Sequence, residues 1–189
     1  NSNKVVIAYR DGGDSDKGKA IVGTVDSSDN SITFGSEVEF NGGNTGYTNV
    51  VFDSSNNKIV IVYTDYGNSS YGTAIVGTVS GTSISFGSEV VFESAASYYV
   101  GATFDSSNNK IVVAYSDDGN SGHGTAIVGT VSGTSISFGT AAVFNAANTT
   151  SGHGPTNFGI AFDSSNNKVV IAYADEGAGG DGFAIVGTV

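Results

Sequence analysis

Apolar residues fall along this chain in two kinds of run. KIVIVY at 58–63, KIVVAY at 110–115 and the recurring AIVGTV are almost continuously apolar and rich in β-branched residues, whereas SISF at 83–86 and 135–138 alternates polar with apolar. A continuous run suits a strand covered on both faces, and an alternating run suits a strand with one wet face. Clusters of Gly, Ser, Asn and Asp separate the runs, as turns between short strands require. No stretch sustains a helical period with capping residues, so the pattern predicts an all-β chain. Around the third AIVGTV it predicts four strands, a to d, at 99–104, 110–115, 125–131 and 135–144.

The pattern repeats. FDSSNNK stands at 52–58, 104–110 and 162–168, and AIVGTV begins at Ala20, Ala74, Ala126 and Ala184. The lysines Lys4, Lys58, Lys110 and Lys168 keep step with it, and both ladders advance by 54, 52 and 58 residues. A repeat of about 52 residues with four strands, its inner strands buried on both sides and its last strand half wet, predicts a β-propeller blade. A β-solenoid has shorter coils and would not need four strands per repeat. The chain thus reads as one domain, 1–189, with units near 1–41, 42–93, 94–145 and 146–189. The first unit supplies strands b, c and d and the last supplies a, b and c. Two arrangements fit this inventory: a four-bladed ring with incomplete blades at its seam, or consecutive blades of a larger propeller. The opening at Asn1, inside a unit, is expected of a segment taken from a longer or processed chain. Unpaired edges at the ends would favour oligomerisation.

These AIVGTVSGTSISFG units resemble, over essentially the whole chain, the tandem blade repeats of phage tail proteins and marine bacterial surface proteins. The resemblance implies an extracellular or virion-associated module that attaches to glycans. The first copy departs from it, with Val25 to Asn30 in place of the Ser-Gly-Thr turn, as does the fourth, with Phe183 where the second and third have Thr.

Composition narrows the chemistry. There is no Cys, Met or Trp, so neither a disulfide nor a thiolate metal site can form. Eighteen acidic residues against seven basic give a net charge of −11, which repels phosphate backbones and anionic lipid and so argues against nucleic-acid partners. No apolar run approaches the roughly 20 residues of a membrane helix, and membrane insertion is not expected.

Alternating strand direction puts the a–b and c–d turns at one end of each unit and the b–c loops and d–a connectors at the other. FDSSNNK is an a–b hairpin whose Asp can accept backbone N–H groups and whose Asn suits left-handed backbone, so it reads as a structural turn. The opposite end carries longer and more variable loops, where binding sites concentrate on a rigid scaffold. Its recurrent residues are Tyr9, Tyr63, Tyr115 and Tyr173 with Asp11, Asp65, Asp117 and Asp175. They suit either one sugar-stacking ring and one hydroxyl acceptor per unit or, as identity in all four copies favours, strand ends and loop organisers. Residues peculiar to one or two units are better candidates for a ligand: Tyr47, Tyr66, Tyr71, Tyr98, Tyr99, His123, His153 and Phe183. The candidate glycan surface therefore comprises Tyr47, Tyr66, Tyr71, Tyr99, Asp65, Asp117, His123, His153 and Asp175.

Other chemistries have weaker support. His123 and His153, in two SGHG phrases, could join Asp117 or Asp118 around zinc, but no ligand spacing backs this. Asp11, Asp14 and Asp16 offer oxygens for calcium, yet the terminal Glu of a calcium loop is missing and Lys17 and Lys19 compete. No cofactor is expected beyond that calcium option. A glycosidase needs only two carboxylates, but a single arginine, Arg10, leaves little to hold an acidic sugar. The expectation is a non-enzymatic glycan-binding module. The alternative is an assembly module whose incomplete ends pair with other chains, including copies of itself.

Overall fold

A computed structural model describes residues 3–148, 158–175 and 179–189. They form fifteen strands in antiparallel sheets, with no α-helix among the described residues. The first unit holds β1 (Lys4–Asp11), β2 (Lys17–Asp26) and β3 (Ser31–Phe34), and β4 (Val38–Asp53) leads into the second. There follow β5 (Lys58–Asp65), β6 (Tyr71–Ser80), β7 (Ser83–Phe86) and β8 (Val90–Asp105). The third unit has β9 (Lys110–Asp117), β10 (His123–Ser132), β11 (Ser135–Phe138) and β12 (Ala142–Asn148). The fourth has β13 (Gly159–Asp163), β14 (Lys168–Asp175) and β15 (Asp181–Gly187). Single 3-10 turns, Tyr66–Asn68 and Asp118–Asn120, follow β5 and β9.

The b and c strands stand where the apolar runs place them; the a and d strands differ from expectation in an instructive way. Between the first and second units and between the second and third, strands d and a are not separated by a connector loop. β4 pairs through its first half with β2, from Ala20↔Val38 to Lys17↔Asn44, and through its second half with β5, from Thr45↔Asp65 to Asp53↔Lys58. β8 bridges β6 and β9 in the same manner. The NGGNTG stretch inside β4 looks like a turn, but its backbone stays paired by changing neighbours. Its polar side chains bond inside the structure: Asn41 Oδ1 accepts from Gly43 N at 2.8 Å and Asn41 Nδ2 donates to Thr45 Oγ1 at 3.0 Å. Conversely, the single d strand expected at 135–144 breaks at residues 139–141, between β11 and β12, both of which pair with β10. Nine strands follow one another from β1 to β11 in one sheet, with β3, β7 and β12 branching from it. β13, β14 and β15 form a second sheet, and neither sheet closes on itself among the described residues.

Successive units meet face to face, and each b–c pair has two different faces. One carries small side chains, as in Val60, Val62, Ala74 and Val76; the other carries bulkier ones, as in Ile59, Ile61, Tyr63 and Ile75. The small face of the first unit (Ala20, Val22) packs on the bulky face of the second. The small face of the second packs on Ile111, Val113, Tyr115 and Ile127 of the third. Val112 and Ala114 of the third pack on Val169 and Ile171 of the fourth. Three cores of one design therefore join four units, each burying branched side chains worth about 1.5–3 kcal/mol apiece. The units also abut through backbone: a Cβ on Gly35 would lie 2.0 Å from the Thr82 carbonyl oxygen, and one on Gly87 would lie 1.9 Å from that of Thr134. Only glycine permits this approach.

Candidate functional site

The three FDSSNNK hairpins are built alike. Asp53 Oδ1 accepts from Ser55 N at 2.9 Å and Asn56 N at 3.0 Å, while Oδ2 accepts from Asn56 Nδ2 at 2.8 Å. Asp105 repeats this on Ser107 and Asn108, and Asp163 on Ser165 and Asn166. Asn57, Asn109 and Asn167 take left-handed backbone, with φ of 53°, 55° and 53°. Donation from Asn166 and Ser165 holds the Asp163 carboxyl down at about 2. The hairpin also clips neighbouring units together, which its sequence does not announce: Ser55 Oγ donates to Asn109 Oδ1, and Ser107 Oγ to Asn167 Oδ1.

At the opposite end, Tyr63 and Tyr115 are fully buried. Their rings pack edgewise and tilted on Phe40 and Phe92, each at a centroid distance of 5.2 Å. Their hydroxyls donate to Glu89 Oε1 at 2.8 Å and Glu93 Oε2 at 3.3 Å. Burial, reinforced by these carboxylates, pushes both phenols well above their usual range. Asp65 is buried too, and its Oδ1 accepts from Asn68 N at 3.2 Å and Asn41 Nδ2 at 3.3 Å. Asp175 accepts from Asn145 Nδ2 at 2.9 Å. Asp117 is likewise buried, with Oδ1 unbonded among the described residues; Glu93 stands where the neighbouring interfaces have Asn41 and Asn145. The recurrent Tyr-x-Asp pairs of the middle units thus belong to the unit interiors, and Asp65 and Asp117 offer little to an external ligand.

The tyrosines peculiar to the second and third units do converge. Tyr47 lies 4.7 Å from Tyr99, 6.0 Å from Tyr98 and 6.5 Å from Tyr66, centroid to centroid, and Tyr66 lies 6.5 Å from Tyr98. Bulges bring them there. In β4, Tyr47 and Thr48 together oppose the single residue Tyr63, between the pairs Gly46↔Thr64 and Asn49↔Val62; Tyr99 and Val100 in β8 do the same opposite Tyr115. A bulge bends its strand and re-aims a side chain. Both bulges use left-handed backbone, φ 45° at Tyr47 and 55° at Tyr99, which a bulky L residue rarely adopts. Tyr66, the first residue of its 3-10 turn, lies against Gly46, where a Cβ would come within 2.3 Å of its ring. Tyr47 and Tyr66 are exposed. Beside them is an open cleft of about 390 Å³ whose lining includes Tyr9, Arg10, Tyr47, Thr48 and Tyr66. Burial and the Tyr99 hydroxyl raise the Tyr47 phenol well above its usual range, and burial raises Tyr66. Neutral hydroxyls and aromatic faces therefore line the cleft, with one guanidinium at its rim. Departure from the repeat marks Tyr47, Tyr66, Tyr98 and Tyr99; Gly46 and Arg10, which it does not mark, complete the arrangement.

The other candidates stand apart. Tyr71 and His123 occupy equivalent positions at the starts of β6 and β10, both half-buried, and neither joins the stacked rings. His153 lies outside the described residues. Asp11, Asp14 and Asp16 are engaged by the chain's own cations. Lys19 Nζ reaches Asp11 Oδ2 at 2.6 Å and Asp14 Oδ2 at 3.0 Å, Lys17 Nζ reaches Glu39 Oε2 at 3.2 Å, and Arg10 Nε reaches Asp16 Oδ1 at 3.3 Å. Lysine donation depresses the Asp11 and Asp14 carboxyls and raises Lys19, so an ion-pair network occupies the oxygens considered for calcium. Among the described residues no three His, Cys, Asp or Glu side chains group as metal ligands would. A second cavity of about 330 Å³, lined by Lys4, Val6, Val50, Phe52 and Ile59 among others, lies beside the free edge of β1. Its lining is mainly apolar, with Lys4 and Asn57 its polar side chains, and is less suited to a polar ligand. Comparison with protein-family profiles, curated proteins and solved structures gives no match.

Proposed function

We propose that the chain is a non-enzymatic glycan-binding module whose units are β-propeller blades. The carrying observation is the cluster of Tyr47, Tyr66, Tyr98 and Tyr99 beside an open cleft that Tyr47 and Tyr66 line, with two of its members on strained backbone. Left-handed φ at a bulky residue costs on the order of 1–3 kcal/mol and tends to persist where a site needs it. Tyrosine faces stack on the apolar C–H faces of sugar rings while their hydroxyls and Arg10 bond sugar hydroxyls. The blade reading is supported by the a–b–c–d strand order of the second and third units and by face-to-face stacking of units. Attachment at an extracellular or virion surface accords with both.

A glycan array probed with wild type, Tyr66→Ala and Gly46→Ala tests the reading. Wild type binds a defined set of neutral glycans; Tyr66→Ala loses a stacking ring, and Gly46→Ala displaces that ring. Each lowers affinity at least about tenfold, or about 1.4 kcal/mol. Silence from wild type, or equal signal from all three proteins, counts against it.

A further inference from the structure

The interface that joins successive units is half-built at both ends of the array. Ile7, Ile61, Val113 and Ile171 hold one position on the bulky face of the four units. Ile61 and Val113 are fully buried and Ile171 is 5% exposed, but Ile7 is 41% exposed, with Ile32 and Phe34 beside it also exposed. On the small face, Val22, Val76, Val128 and Val186 are equivalent. Val22 and Val76 are fully buried, whereas Val186 is 62% exposed, and Ala172 and Ala184 are exposed with it. The array thus presents an uncovered bulky face on its first unit and an uncovered small face on its fourth. In all three interior interfaces those two faces are partners. The b and c strands supply most of the interior contact, and both end units keep them complete.

The hairpin clip shows the same half-finished state. Ser55 and Ser107 donate to the Asn that precedes the lysine of the next unit, whereas Ser165 turns back onto its own Asp163. The next Asn in that series is Asn3, exposed and already in the left-handed conformation of Asn57, Asn109 and Asn167, with φ 71°.

We propose that the uncovered bulky face of the first unit packs on the uncovered small face of the fourth unit of a second copy, forming a fourth interface of the interior kind. The contact is heterologous, so association runs head to tail and yields rings or filaments according to the rotation per copy. Like faces do not suit one another: two small faces leave a gap between Val and Ala side chains, and two bulky faces collide, whereas small against bulky fills the space three times within the chain.

Complementation of two variants tests the geometry. Ile7→Asp disables one face and Val186→Asp the other, at positions exposed enough to tolerate the change in an isolated copy. Analytical ultracentrifugation from about 1 μM to about 1 mM, a range that covers weak to moderate association, is expected to show wild-type mass rising through multiples of the monomer. Each variant alone stays monomeric, and an equimolar mixture gives a species of twofold mass and none larger, because each partner keeps one good face. Ser54→Asp, a charge added off both faces, associates like wild type. Phe34→Asp with Ala184→Glu repeats the test, and circular dichroism confirms that each variant is folded. A wild type that is monomeric throughout, a mixture that remains monomeric, or single variants that still assemble overturns the proposal. The glycan cleft shares only Tyr9 with the bulky face and none of the substituted positions, so this outcome is distinguishable from the array result.

Discussion

At the scale of single residues, the same repeated phrase carries two kinds of work. The aspartate of FDSSNNK is a buried acceptor: Asp105 is 1% exposed and receives three hydrogen bonds from its own turn. Asp105→Ala leaves those donors unpaired and is expected to cost about 1–3 kcal/mol in chemical denaturation; a loss under about 0.5 kcal/mol would show the turn to be held otherwise. Tyr47 offers the opposite case. Tyr47→Asn relieves part of the left-handed strain but removes three ring contacts. Strain relief is worth about 1–3 kcal/mol and the three lost ring pairs together a similar amount, so the two largely offset. Stability is therefore expected within about 1 kcal/mol of wild type while glycan binding falls, which separates the cleft from the scaffold.

At the scale of elements, the sequence was most legible where one residue type decides the outcome. Unbroken apolar runs located β5, β6, β9 and β10 because a strand buried on both faces needs apolar residues at every position. The hairpins were legible because Asp and Asn at fixed offsets have specific backbone uses. β4 and β8 were not: Asn41 to Gly46 has the composition of a turn, and only pairing with a different neighbour on each half keeps it extended. The tyrosine cluster was half legible. Departure from the repeat singled out its members, but their meeting depends on two bulges, and a bulge at Tyr rather than Gly leaves no compositional trace. Repetition supplies its own experiment on packing. Ile61→Ala is expected to cost about 2–5 kcal/mol, since Ile61 is fully buried, and Ile7→Ala at the equivalent exposed position much less when the protein is dilute. Parallel melts at high dilution measure the contrast; equal costs would mean that the first unit's outer face is already covered within one copy.

At the scale of the molecule, the recurrent tyrosines tie stability to pH. Burial and the neighbouring carboxylates Glu89 and Glu93 push Tyr63 and Tyr115 far above 10.0, and partial burial with the bond to Glu37 raises Tyr9 to about 12. A phenol whose folded pKa exceeds its unfolded value leaves stability intact below the unfolded value and erodes it as pH climbs, since only the unfolded chain releases the proton. Stability is therefore flat through neutrality on the tyrosines' account and falls steadily above about pH 10, the ordinary phenol value. Because Tyr9, Tyr63 and Tyr115 lie in three successive units, their losses accumulate across the array rather than in one unit. Tyrosinate absorbance followed together with circular dichroism distinguishes the cases. Tyr63 and Tyr115 ionise only as the sheets are lost, so the last part of the tyrosinate signal coincides with that loss in one step. Tyr63→Phe, which removes a buried phenol, moves that step to higher pH. Complete tyrosinate formation while the sheets persist would mean that Tyr63 and Tyr115 are reached by solvent without unfolding, and that the interfaces between units open one at a time.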